Sequence, residues 1–326
     1  MDIDAKLRPW LIAKILFERT DGEHFLTTAQ LMRILEKEFN MPTHRTTIGA
    51  DIEMLKGLGM DIRMTKSTQN RYYFGKRYFE DAEMKLLIDS LASCKFIPAF
   101  QSKKLIAKIG ALAGCHASDK LVRNVSVERR IKGTNKKVLG IVDAVNEAIN
   151  AKKQIAFQYF QYNEKKQRKP RRDGALYRLS PYRLVWNGDY YYVIGWYEES
   201  AELRSFRVDR MVAAPEILET DAIPPEKGFD LDRHLNTMYH MFSSERQHVH
   251  LICDNSVMDA IVDRFGEKVD TFLRGDGTFE ADVEVAVNSV LFSWIVGFSG
   301  KVKVAAPDEV VKEYREFVRK AWEAVE

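Results

Sequence analysis

Residues 180–211 read SPYRLVWNGDYYYVIGWYEESAELRSFRVDRM, and the rest of the chain is best understood outward from this stretch. Aromatic and aliphatic residues mark two runs, 179–186 and 190–197, and Asn187-Gly188-Asp189 between them is a tight-turn signal. A third strand is expected over 203–210, after the polar turn at 198–201. Upstream, Ile155, Phe157 and Tyr159 alternate with Ala156, Gln158 and Phe160, which predicts a fourth strand. Short strands joined by tight turns point to a small curled sheet or barrel.

This β region carries Arg204, Arg207 and Arg210 at every third position. Guanidinium groups offer planar, bidentate donors to phosphate, and tyrosines offer a stacking face and a hydroxyl to bases. Tyr159, Tyr182, Arg183, Arg204, Arg207 and Arg210 are therefore the candidate residues for an anionic, nucleotide-like effector. Strict alternation puts Arg204 and Arg210 on one face and Arg207 on the other, unless a bulge or the end of the sheet redirects one. The plainer alternative is that some of these arginines pair with Asp209, Glu202 or Asp189.

The charge balance of +3 carries little information, but its distribution does. Lys152, Lys153, Lys165, Lys166, Arg168, Lys169, Arg171, Arg172 and Arg178 face only two acids, Glu164 and Asp173, within 152–178. Such a run is either an anion-binding element or a solvated loop.

At the N-terminus, Leu7, Leu11, Ile12 and Ile15 share a helical face, as do Leu31, Ile34 and Leu35 after a capping Thr27-Thr28. Asn40-Met41-Pro42-Thr43 breaks the pattern. A third helix is expected over 44–58, with Ile48, Ile52 and Leu55 inward and Gly57 and Gly59 at its end. The alternating segment 61–74 around a polar tip at 67–70 predicts a hairpin. Helix, helix, turn, helix and hairpin make a winged helix-turn-helix domain over 1–78, whose third helix would enter a DNA major groove. The candidate DNA contacts are His44, Arg45, Thr46 and Thr47 for base edges, with Arg63, Lys66 and Arg71 of the wing for phosphates. A plain interaction module is the competing reading of the same pattern.

Residues 79–138 form a helical connector and arm: Met84, Leu87, Ile88 and Leu91 make one apolar stripe and Leu105, Ile109 and Leu112 another. The segment 120–137, basic and without periodicity, is expected to be an extended arm or linker. The β domain occupies 139–215, and a linker with Pro224-Pro225 occupies 216–247. Residues 248–326 alternate strands with amphipathic helices, which suggests a small α+β sandwich. The fold class is thus multidomain α+β.

No apolar run approaches the roughly 20 residues needed to cross a bilayer, and residues 1–17 lack the small-residue cleavage site of a secretory signal, so a cytoplasmic protein is expected. Cys94, Cys115 and Cys253 are scattered, with no spacing that would hold zinc, and His248 and His250 lack a third ligand, so no metal or other cofactor is expected. There is no Gly-rich phosphate loop and no recognisable nucleophile, base and acid set, which argues against an enzyme.

The run THRTTIGADIEMLKGLGMDI resembles the recognition helix and following strand of DeoR-type winged-helix regulators, although Gly49 and Ala50 stand where such regulators carry arginines. Residues 181–211 are similar to the core of the WYL domain family. Tyr191-Tyr192-Val193 stands at the naming tripeptide, Arg204, Phe206, Arg207, Asp209 and Arg210 match the final strand, and Tyr159 matches the aromatic of the first. This resemblance implies an Sm-like β-barrel (WYL) behind a winged helix. It also implies a homodimeric, ligand-responsive transcriptional regulator that binds double-stranded DNA and senses an anionic nucleotide or nucleic-acid effector. The C-terminal part resembles the extension found behind WYL domains. The alternative is a WYL accessory protein that binds single-stranded nucleic acid or a partner enzyme.

Overall fold

The computed structural model describes residues 3–66, 69–123, 125, 127, 131–225 and 246–325. Of the linker expected over 216–247, residues 216–221 form a strand instead, because they pair with the sheet of the second unit, and 226–245, like 67–68 of the hairpin tip, lie outside the described residues. The chain divides into two compact units, 1–136 and 137–326.

The first unit opens with helix α1 (Ile3–Arg19), the short strand β1 (Leu26–Thr27), helices α2 (Thr28–Phe39) and α3 (Arg45–Gly57), and the hairpin of β2 (Ile62–Lys66) and β3 (Asn70–Phe74). The three strands form one antiparallel sheet in the order β1-β3-β2. Local chemistry sets the helix ends. Thr27 caps α2 in a reciprocal capping box with Gln30, and Asn40 takes the left-handed conformation that closes it. Leu11, Ile12, Ile15 and Leu16 of α1, Leu31 and Leu35 of α2, and Ile48, Ile52 and Leu55 of α3 meet Ile62 and Tyr72 in a single core. Arg8 donates to Asp51, which lies largely buried on α3, and this ion pair ties the third helix to the first.

Helices α4 (Asp81–Ser93), α5 (Ala99–Leu112) and α6 (Cys115–Val122) follow, packed through Met84, Ile88, Ile106 and Leu121. Part of the expected arm is helical, since α6 runs to Val122, and the described residues around 132–136 are held against the bundle. The Lys132 Nζ donates to the carbonyls of Leu91 (2.9 Å) and Cys94 (2.7 Å) and to Ser102 Oγ (3.0 Å). Gly133 N–H donates to Lys95 O at 2.6 Å. A lysine donating to carbonyls at the end of α4 does there what a cap would do.

The second unit begins with α7 (Val138–Ala151), which buries Val138, Ile141, Val145 and Ala148. It leads into β4 (Lys153–Phe157), the two-stranded ribbon of β5 (Phe160–Tyr162) and β6 (Arg168–Pro170), then β7 (Tyr177–Asn187), β8 (Tyr190–Tyr197), β9 (Glu202–Arg207) and β10 (Glu216–Asp221). The main sheet has the order β10-β4-β7-β8-β9 and is antiparallel throughout. It is not closed into a barrel: one isolated bridge, Tyr159 to Met211, ties the chain beyond β9 to the end of β4. Gly188, at positive φ, makes the two-residue turn between β7 and β8. The third strand stops at Arg207 rather than continuing to residue 210. Val208–Arg210 is a 3-10 turn, bent where Val208 and Met211 plunge into the core.

In the remaining part, β11 (Arg246–Asp254), α8 (Met258–Phe265), β12 (Asp270–Leu273), β13 (Thr278–Ala286), α9 (Ser289–Val296), β14 (Val302–Ala306) and α10 (Asp308–Glu323) follow in turn. The sheet order β12-β13-β11-β14, with every neighbour antiparallel, is that of a split βαβ arrangement. Val249, Leu251, Phe279, Ala281, Val283 and Val302 form the inner face, against Ile261, Leu291, Ile295 and Val310 of the helices.

Candidate functional site

At β9 the chain splits its cationic side chains between two surroundings, as strand alternation requires. On the side of Arg204 and Phe206, a cleft of about 290 Å3 is lined by Arg171, Arg172, Tyr177, Tyr197, Glu199 and Arg204, among others. Arg172 and Asp173 hold left-handed backbone angles just after β6, and that reversal turns the Arg172 side chain toward β8. Its Nη1 donates to the Tyr197 hydroxyl at 2.5 Å and its Nη2 lies 2.6 Å from Glu199. The Tyr197 hydroxyl in turn donates to Glu199 at 2.7 Å. Burial and the bond to Glu199 push Tyr197 up to about 12, so it is a neutral donor throughout the physiological range. The Arg172 and Tyr197 hydrogen bonds hold the Glu199 carboxyl below its ordinary range. Arg204 lies 5.0 Å over the Tyr197 ring and pairs with Glu202.

The other surroundings belong to Arg207 and Arg210. Arg207 grips Asp209 with two bonds, Nε to Oδ1 at 3.1 Å and Nη2 to Oδ2 at 2.8 Å, and its guanidinium stacks 3.3 Å over the Tyr190 ring. Burial works to lower the Arg207 pKa, and the hydrogen bonds and charge of Asp209 together with Tyr190 outweigh it, so the net shift is upward. Arg210 lies over Tyr162 at 5.0 Å and Phe160 at 5.8 Å, and Arg168 lies over Phe160 at 4.6 Å. Tyr192, the cross-strand partner of Arg207, is raised by burial.

The six effector candidates are therefore not brought into one pocket. Arg204 alone lines the cleft. Tyr159 is buried among Phe157, Tyr177 and Phe206, where its hydroxyl accepts the Arg207 N–H at 3.1 Å, and burial pushes it up to about 12. Tyr182 sits half-buried at the irregularity between Pro181 and Arg183 in the β7–β8 register, while Arg183 is exposed. Arg171, Arg172, Tyr177, Tyr197 and Glu199 were not singled out by spacing as effector contacts. Arg171 and Arg172 lay inside the basic run, but the left-handed turn that aims Arg172 has no Gly or Asn at position 172 to announce it.

In the first unit, His44, Arg45 and Thr46 are exposed at the start of α3 and Thr47 is partly so, while Ile48 behind them is fully buried. Among the wing candidates, Lys66 is exposed, Arg71 lies 4.2 Å over the Phe25 ring, and Arg63 is engaged by Asp61 through two bonds of 3.2 and 3.1 Å. His248 and His250 both face Asp282, at 3.2 and 3.8 Å. Among the described residues no group of three or more His, Cys, Asp or Glu side chains could hold a metal ion, and no helix is long and apolar enough to cross a membrane.

No curated protein matches the chain. Two solved structures are similar at low identity. Proteasome accessory factor B/C (PafBC) of Arthrobacter aurescens is 18% identical, with 94% of this chain and 45% of that chain covered and a TM-score of 0.29. This chain thus spans less than half the length of that relative. A CRISPR Cas-related protein is 12% identical, with 99% and 83% covered and a TM-score of 0.37. The domain families are more informative: the aromatic and arginine-rich sheet with its leading helix, residues 140–215, matches the WYL domain, and the split βαβ part, residues 245–322, matches the WCX domain, so the second unit carries a WYL domain followed by a WCX domain.

Proposed function

We propose that this chain is a ligand-responsive transcriptional regulator, cytoplasmic and homodimeric, and not an enzyme. Residues 1–78 act as a DeoR-type winged helix-turn-helix on double-stranded DNA, and the WYL domain acts as the sensor, an Sm-like fold for an anionic, nucleotide-like effector. One observation carries the DNA reading: α3 buries Ile48, Ile52 and Leu55 while its first turn leaves His44, Arg45 and Thr46 exposed. That is the geometry of a helix held from behind and free to enter a groove. With Arg63 committed to Asp61, phosphate anchoring falls to Lys66 and Arg71.

The cleft around Arg172, Tyr197 and Arg204 supports the sensor reading. Arg172 and Arg204 in it are paired with Glu199 and Glu202, so a phosphate arriving at either would exchange with a carboxylate already in place. Its volume suits one nucleotide-sized group.

Selection of binding sites from fragmented genomic DNA tests the first half. The parent should select one short two-fold-symmetric sequence. The Arg45→Ala plus Thr47→Ala variant should lose about 1–3 kcal/mol per base contact and relax its preference. Identical selection by the two proteins would refute α3 as the reading helix. Selection of single strands alone would favour an accessory protein for single-stranded nucleic acid. For the sensor, Arg204→Ala should leave DNA binding intact and abolish a nucleotide response whose coupling is on the order of 1–3 kcal/mol.

A further inference from the structure

The basic run at 165–172 has a shape that its composition does not reveal. Lys165, Lys166, Arg168, Lys169 and Arg171 sit on or beside the β5–β6 ribbon, and all five are exposed. The ribbon is built, not loose. Phe160, Gln161 and Tyr162 pair in register with Pro170, Lys169 and Arg168. Its turn is clasped by Asn163, whose backbone N–H donates to Gln167 O at 3.0 Å while its Oδ1 accepts Gln167 N–H at 2.8 Å. Lys166 takes the left-handed conformation the turn requires. At the base, Phe160 is buried and Arg171 N–H donates to Tyr159 O at 2.8 Å, so the ribbon is anchored to the sheet.

Three arginines beside the main sheet of the WYL domain are matched: Arg172 with Glu199, Arg204 with Glu202, Arg207 with Asp209. Lys165, Lys166, Lys169 and Arg171 form no ion pair among the described residues. Like charges gathered on one short ribbon repel one another wherever they lie within a Debye length, about 8 Å at physiological salt. A polyanion relieves that repulsion and gains from it by releasing counterions. Because the ribbon is already ordered, little conformational entropy is lost when it binds.

We propose that the β5–β6 ribbon is a second, sequence-independent contact to duplex DNA, with Lys165, Lys166 and Lys169 facing backbone phosphates. Duplex is favoured over single strand because the exposed ring nearby, Tyr162, already has Arg210 over it at 5.0 Å, which leaves point charges rather than a stacking platform as the main resource. The inference rests on the duplex-DNA reading above, but it concerns different residues.

The test measures full-length protein on a fluorescent 30-base-pair duplex of scrambled sequence, by anisotropy between about 50 and 200 mM salt. The variant is Lys165→Gln, Lys166→Gln and Lys169→Gln together, with unchanged thermal unfolding as its control for folding. Three lost phosphate contacts should reduce the magnitude of the log-affinity against log-salt slope by roughly 2.7, at about 0.9 each. The same reduction should appear in the Arg45→Ala plus Thr47→Ala background. A slope unchanged to within about 0.5 overturns the ribbon contact. So does a reduction seen with a single-stranded 30-mer but not with the duplex. If the ribbon slope falls while the α3 variant still selects the parent's sequences, the ribbon stands and the reading helix fails. If the slope is unmoved while selection relaxes, the reverse holds.

Discussion

Gly195 lies at a close approach of two strands in the WYL domain, opposite Pro181 in the β7–β8 register. A methyl group built there would overlap the Ser180 carbonyl oxygen and come within 2.9 Å of Pro181 Cα. Both are backbone atoms, so no rotamer change can relieve the clash. The strands themselves cannot part easily, because Val193 with Leu184 on one side and Tyr197 with Leu179 on the other keep the pairing closed. Overpacking of a side chain into a core costs about 1–3 kcal/mol, and a clash with fixed backbone belongs at the upper end. Gly195→Ala should therefore destabilise the second unit by about 3 kcal/mol. For a unit of this size, that lowers the thermal midpoint by about 6–12 °C, read from tryptophan fluorescence. Gly140→Ala makes the same chemical change at an exposed position of α7, where nothing lies within 4 Å of the added methyl. It should stabilise by about 0.4–1 kcal/mol through helix propensity and a less flexible unfolded chain. A Gly195→Ala midpoint within 2 °C of the parent, by the conversion of roughly 2–4 °C per kcal/mol, would refute the close approach.

Two further outcomes follow from buried titratable groups. Tyr159 has its pKa pushed from 10.0 up to about 12 by burial, so the folded state resists its ionisation. Its contribution of about 3 kcal/mol is present below pH 10 and is lost as the pH rises from about 10 through about 12. Tyr159→Phe should cost about 1–3 kcal/mol at neutral pH, because the Arg207 N–H loses its acceptor, and should flatten that alkaline loss in denaturant titrations. A parent and variant with parallel alkaline profiles would refute the assignment. Among the thiols, Cys115 is exposed, Cys94 is buried, and Cys253 is buried with its pKa pushed up to about 11. Iodoacetamide at pH 8 should alkylate Cys115 in the native protein and reach Cys253 only after unfolding, as peptide mass spectrometry would show. Equal rates at the two would refute it.

Much of the architecture was legible along the chain because its determinants are local. The 3.6-residue stripe of Ile48, Ile52 and Leu55, the Thr27 cap and the Gly188 turn each depend on neighbours within a few residues, and each appears where the pattern places it. The strand order β12-β13-β11-β14 is not local, since β11 pairs with segments about thirty and about fifty residues further on. The six effector candidates were drawn from residue type and strand order, which specify chemistry but not direction. Alternation correctly separated Arg204 from Arg207. It failed at Arg210, because the chain leaves the strand at Val208 to bury Val208 and Met211, and a 3-10 turn has no two-residue period. The cleft itself depends on Arg172, brought against Tyr197 and Glu199 by a left-handed bend twenty-five residues earlier in the chain. Residue types and their periods are written in the sequence. Which charges end up facing one another is a product of how the strands cross, and that is settled only when the core closes.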